Sequence, residues 1–147
     1  MLYIANFESV YGRELIIFES QKNISSEEWG ELVKEAIRIS LERLLKEKYE
    51  GEIDSLTLLL NKTFIENFSK FLEEKGFKLV YATQLEFSKY PSATIDVDIL
   101  NERLAKFNKK EAERLLGKEL FSQIMEHNEK IRAKKFEETF LGGKELF

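Results

Sequence analysis

No cysteine occurs in the chain. That excludes disulfides, thiolate metal sites and a cysteine nucleophile. The single histidine, His127, argues against a His-rich metal centre and against a Ser-His-Asp triad within one chain. No metal is expected. No apolar run approaches the roughly 20 residues that a membrane helix needs, so no membrane partner is expected. The first residues, Met1-Leu-Tyr-Ile-Ala-Asn-Phe7, hold no basic region or small-residue cleavage motif. No secretory signal is therefore expected, and the cytoplasm is the default location. The formal charge of −4 disfavours nucleic acid as a partner, because generic binding needs cations for the phosphate backbone. Charge is carried mostly by Lys and Glu, as in many thermophilic proteins, whereas the single proline points the other way.

What is present fits one soluble globular domain: 147 residues, 43% hydrophobic and 34% charged. Leu2–Glu8 and Glu14–Ser20 are strand-like runs linked by Tyr11-Gly12, which predicts a hairpin. Ser25 with Glu28 forms a capping-box pattern, and Ile24 with Trp29 has the spacing of a hydrophobic staple. Trp29, Leu32, Val33, Ala36, Ile37, Leu41 and Leu44 then recur at helical spacing, predicting a long amphipathic helix.

The stretch from Ser55 to Phe87 reads as strand, helix, strand. Ser55–Leu60 is a short apolar run. Thr63 with Glu66 resembles a second capping box, and Gly76 is placed just past the helix end. Lys78–Ser88 alternates, as does Thr94–Leu100, so these two predict an antiparallel pair. From Asn101 the pattern is helical: a short helix through Leu104 and Phe107, a new cap at Asn108 with Glu111, a stop at Gly117, and a longer helix ended by Gly142-Gly143. The expected fold is α+β, with a mixed sheet of about five strands and two crossover helices. Residues 1–100 would form the sheet-helix body and 101–147 a C-terminal helical extension of the same domain.

Residues from about Ser25 to Leu100 resemble the C-terminal half of a GNAT-type (acyl-CoA N-acyltransferase) domain. The local match is Asn67-Phe-Ser-Lys-Phe-Leu-Glu-Glu-Lys-Gly-Phe77, which looks like that family's helix end before its next strand. The resemblance implies a GNAT-like centre and acyl-CoA as the cofactor. The family's pyrophosphate loop would fall on Ser25-Ser-Glu-Glu-Trp-Gly30, where only Gly30 matches and Glu27, Glu28 and Glu31 would repel a pyrophosphate. The family's frequent general-acid Tyr falls on Leu72, which has no proton to donate. The implied function is a divergent, non-catalytic GNAT-like domain that binds or self-associates. The alternative is an N-acyltransferase that holds acyl-CoA by non-standard contacts. No catalytic motif is complete, so no catalytic residue is assigned.

Three further sets carry chemistry. The carboxyl ends of the expected strands bring Glu19, Ser20, Gln21, Asn61 and Lys62 to one rim as a ligand cleft, with Lys62 as an anion contact; the other reading is ordinary loop residues. Asp96 and Asp98 lie two apart on one strand face, with Glu86 across from them, as an acidic site or as a solvated sheet face. His127 is a general-base candidate or a surface helix residue, and Lys130–Lys135 is a basic run or a solvated helix face. Phe64, Phe68 and Phe71 are spaced as core. The C-terminal helices carry many apolar residues, among them Phe136, Phe140, Leu141 and Phe147. They either cover the open sheet face or pair with a second copy in a homodimer.

Overall fold

A computed structural model describes residues 1–81, 89–100 and 102–145, with backbone alone at 60, 102–108 and 140–145. Strands β1 (Leu2–Ser9) and β2 (Gly12–Glu19) form the expected hairpin, with Ile4 opposite Ile17 and Tyr3 opposite Phe18. Three helices follow, α1 (Ser26–Lys46), α2 (Ser55–Leu60) and α3 (Lys62–Glu74). The chain then returns to the sheet as β3 (Lys78–Val80) and, after the undescribed stretch 82–88, as β4 (Ser92–Asp96). A 3-10 turn, Val97–Leu100, leads into α4 (Glu102–Leu116) and α5 (Lys118–Glu145).

The fold is α+β, and among the described residues the mixed sheet has four strands where about five were expected. Their order is β3-β2-β1-β4, with β1 parallel to β4 and antiparallel pairing elsewhere. The expected pairing of Lys78–Ser88 with Thr94–Leu100 is not seen at the described positions, because β3 and β4 occupy opposite edges. The run Ser55–Leu60 is a helix, not a strand. Asp54 caps it, accepting from the backbone N–H of Leu56 and Thr57, while the Thr57 hydroxyl accepts from the Asp54 N–H. Leucine is a strong helix former, and a short apolar run satisfies a buried helix as well as a buried strand.

Helix α1 starts as the sequence indicates, with Ser25 accepting from the Glu28 N–H at 3.1 Å. Helix α3 starts earlier than expected, capped by Asn61 through the Phe64 N–H at 2.8 Å, and not by Thr63. Its end is a Schellman arrangement. Phe77 N–H bonds the Leu72 carbonyl, Gly76 N–H bonds the Glu73 carbonyl, and Gly76 sits at φ +95°. The expected break at Asn108 is absent, so α4 is one helix, and Gly142-Gly143 lies within α5.

The helices pack one sheet face. Tyr3, Phe7, Phe18 and Phe77 meet Trp29 and Phe68 there, with Tyr3 and Trp29 ring centres 5.1 Å apart. Trp29 is fully buried, and its indole N–H donates to the Ile4 carbonyl at 2.9 Å. That bond locks α1 across the central strand and satisfies the indole's polar atom. Phe64, Phe68 and Phe71 are core, as their spacing implies. Ala112, Leu115 and Leu116 of α4 and Leu120, Phe121 and Ile124 of α5 join the same core, packing by way of α1 and the 3-10 turn.

Candidate interaction surface

The residues expected to line one cleft are divided between two ends of the molecule. Glu19, Ser20 and Gln21 follow β2 beside the chain start, where the Met1 ammonium donates to the Ser20 carbonyl at 3.0 Å. Next to them, Lys22 donates to the Lys75 carbonyl at the end of α3. Asn61 and Lys62 stand at the opposite end of α3, which at 1.5 Å per residue is about 20 Å away. Asn61 is occupied as a cap and as a donor to the Tyr49 hydroxyl at 2.9 Å. Lys62 is exposed and pairs with Glu66 at 3.8 Å.

The acidic strand face is also rearranged. Asp96 ends β4 and is exposed, whereas Asp98 lies in the 3-10 turn and is buried. The two do not share a strand face, because the strand stops between them. Asp96 accepts from the Asp98 N–H at 3.0 Å, which starts the turn. Glu86 lies outside the described residues. The exposed carboxylate beside Asp96 in register is Glu8 of β1, which sequence reasoning missed because the β1–β4 pairing is long-range.

Asp98 instead holds the β1–β2 turn. Its two oxygens accept from the Ser9 hydroxyl at 2.6 Å and the Val10 N–H at 2.8 Å. The Tyr11 N–H is held in turn by the Ser9 hydroxyl at 3.2 Å. Val10 and Tyr11 are 76% and 62% exposed at the tip. Two-residue hairpin turns with positive φ at the tip favour Asn, Asp and Gly, but this one does not require them. Neither residue takes a positive φ; Gly12, which follows them, does, at φ +153°. Helix α2 packs on the same 3-10 turn and exposes Leu56. One end of the sheet therefore presents apolar side chains on a braced backbone.

His127 is not positioned as a base. Its Nε2 bonds the Gly51 carbonyl at 2.8 Å and its ring stacks on Tyr49. Beside it, Asn128 is buried against Ile53, and Arg132 meets Glu52 at 3.0 Å. Together they clasp the loop after α1. A groove of about 630 Å³ lies between the end of α1 and the α4–α5 junction. Its rim mixes Glu42 and Glu119 with Lys46 and Lys118, so it favours neither sign of ligand. Beyond the clasp, α5 changes character: from Glu129 to Thr139 every residue is exposed except half-buried Ile131. Among the described residues, no group of three or more His, Cys, Asp or Glu is arranged to hold a metal ion, and no helix is long and apolar enough to cross a membrane.

Comparison with protein-family models, with curated proteins and with solved structures gives no match. Of the elements that carry the GNAT resemblance, the long helix and the Gly76-Phe77 ending stand as expected, and Leu72 is fully buried core. The strand at Ser55–Leu60 is replaced by a helix.

Proposed function

We propose that the chain is a binding module that self-associates, built on an α+β body with a divergent, non-catalytic GNAT-like centre. The observation that carries this reading is the distal half of α5. The proximal half buries Leu120, Phe121, Ile124 and Asn128 in the body, and the helix then continues as exposed surface. Helices draw most of their stability from packing a face against something, and a short unpacked helix is marginal in water. Phe136, 69% exposed, adds an apolar group to that stretch. A second copy laid on the distal half would bury part of this exposed surface.

Sedimentation velocity over a wide concentration range tests the proposal. The expected result is a shift from monomer to dimer as concentration rises. A strict monomer at the highest concentration removes self-association. Acetyl-CoA and CoA are expected to leave the thermal midpoint unchanged. A clear rise with either would favour an acyltransferase with non-standard cofactor contacts.

A further inference from the structure

We infer that the outer edge of β4 is where a second copy pairs, its own β4 running antiparallel about a two-fold axis at Thr94. The inference rests on the self-association proposed above and names the edge through which the axis passes.

The β1–β4 ladder fixes which backbone groups are left over. The Ile4 N–H bonds the Pro91 carbonyl at 2.9 Å, and the two strands run in parallel register from Ile4 beside Ser92 to Glu8 beside Asp96 without a bulge. In such a ladder alternate residues serve each side. Ala93 and Ile95 therefore turn their N–H and C=O groups to β1, and Ser92, Thr94 and Asp96 turn theirs outward. β4 ends the sheet, and among the described residues no strand lies beyond it. The side chains of Ser92, Thr94 and Asp96 are exposed. Proteins blunt an open edge with proline, lysine or a bulge, because unpaired backbone is a template for another strand. Ser92–Asp96 holds none of these, and its single charge, Asp96, stands at the strand end.

The strand complements itself. About an axis at Thr94, antiparallel pairing sets Thr94 opposite Thr94 and Ser92 opposite Asp96, so all of Ser92–Asp96 is paired and outward donors meet outward acceptors. Opposed threonines are a favourable cross-strand pair, and the Ser92 hydroxyl meets a carboxylate that can accept from it. The Thr94 hydroxyl already accepts from the Asn6 amide at 3.4 Å, which leaves its own proton for the opposing threonine. An axis at Asp96 would bring two carboxylates together, and one at Ala93 or Ile95 would leave part of the strand unpaired. Because one edge serves both copies, the contact is isologous and closes as a two-fold dimer. Five residues make a short contact, which places the association in the weak, concentration-dependent class.

Amide hydrogen exchange reads the edge directly. The Thr94 N–H faces solvent in the monomer, so a concentration that takes the chain from mostly monomer to mostly dimer should slow its exchange at least fivefold. Ala93 and Ile95, already bonded to β1, should change less. Thr94→Lys sets two ammonium groups opposite each other and should raise the dimer dissociation constant at least tenfold. The chain has no native cysteine, so Thr94→Cys carries one thiol per copy. A short bismaleimide should join its copies at least tenfold faster than those of Thr63→Cys, an exposed position on α3. Should Thr94→Lys fail to fold, the exchange and the cross-link decide. A chain that sediments as a dimer with Thr94 exchange unchanged, and with Thr94→Cys joined no faster than the control, overturns the edge assignment and leaves self-association standing. A strict monomer overturns both proposals.

Discussion

Asn128 treats Ile53 as one strand treats its neighbour: its side-chain amide donates to the Ile53 carbonyl at 2.9 Å and accepts from the Ile53 N–H at 2.7 Å. Asn128 is 2% exposed and Ile53 fully buried, so water does not substitute. A loop between helices carries backbone groups that no ladder satisfies, and one side chain on a distant helix resolves both. Replacing Asn128 with Leu keeps the volume and strands the two groups. An unsatisfied buried polar group costs about 1–3 kcal/mol, so Asn128→Leu is expected to lose roughly 2–4 kcal/mol in urea unfolding. Asn128→Asp, which keeps the acceptor and loses the donor, should also destabilise.

The brace at the hairpin gives a second prediction. Asp98→Ala removes the acceptor for both the Val10 N–H and the Ser9 hydroxyl. Hydrogen bonds to a charged group are worth about 1.5–3 kcal/mol, and this turn lies near solvent, so a loss of about 2 kcal/mol is expected. Asp98→Asn should lose less, since its oxygen still takes the Val10 N–H and the Ser9 hydroxyl can rotate to accept from the amide. Amide hydrogen exchange at Val10 is expected to rise in the order wild type, Asp98→Asn, Asp98→Ala. Equal exchange in all three would show that Asp98 does not hold the turn.

Much of this fold is legible in the sequence, and the failures share a cause. The β1–β2 hairpin, α1 with its Ser25 cap, and the Gly76 ending of α3 are local, and each is written in residues within a few positions. Ser55–Leu60 was ambiguous because its length fits either element. The deciding signal was Asp54 followed three residues later by Thr57, a cap with a reciprocal partner. Asp96 and Asp98 alternate with Val97 and Ile99, which imitates a strand, yet the chain turns at Val97 because Asp96 caps it. The β1–β4 pairing, the brace from Asp98 to Val10 and the clasp from Asn128 to Ile53 all join residues more than 70 positions apart. No periodicity records such partners.

Gly76 offers a third test. At φ +95° a β-carbon is strained whatever space surrounds it, and one placed there would lie 3.2 Å from Cε of Lys22. The lysine is long and can move aside, so backbone strain dominates. Gly76→Ala is expected to destabilise by about 1–2 kcal/mol. Gly76→Asn should cost less, because Asn tolerates the left-handed region better. Thermal unfolding of the two variants checks the order.

Leu72 separates fold from chemistry. The proposed GNAT likeness would put a general acid at this position, and here Leu72 is fully buried beneath the Phe77 turn. Leu72→Tyr adds a ring and a hydroxyl to a packed site. Overpacking costs about 1–3 kcal/mol, and the buried hydroxyl adds its own desolvation. The variant should therefore be less stable and gain no acetyl transfer to amines in an assay with acetyl-CoA. Measurable transfer would mean that this position faces a working site after all.

The last prediction concerns what the distal half of α5 does for the body. Ala133 lies one residue beyond Arg132, whose guanidinium meets Glu52 of the loop after α1. Proline there deletes one helical hydrogen bond and clashes with the preceding turn, at a cost of about 3 kcal/mol where the helix is needed. In a helix packed along its whole length, that cost would appear in global stability. Here the residues from Arg132 to Thr139 are exposed, so Ala133→Pro should unravel the distal half locally. The expected signature is a loss of helical circular dichroism with a urea midpoint nearly unchanged for the monomer. Under the proposed self-association, dimerisation should fall with it, because the proposed contact surface is no longer a helix. A large drop in the midpoint of the monomer would place the distal half within the cooperative body and remove the reason for assigning it to a partner.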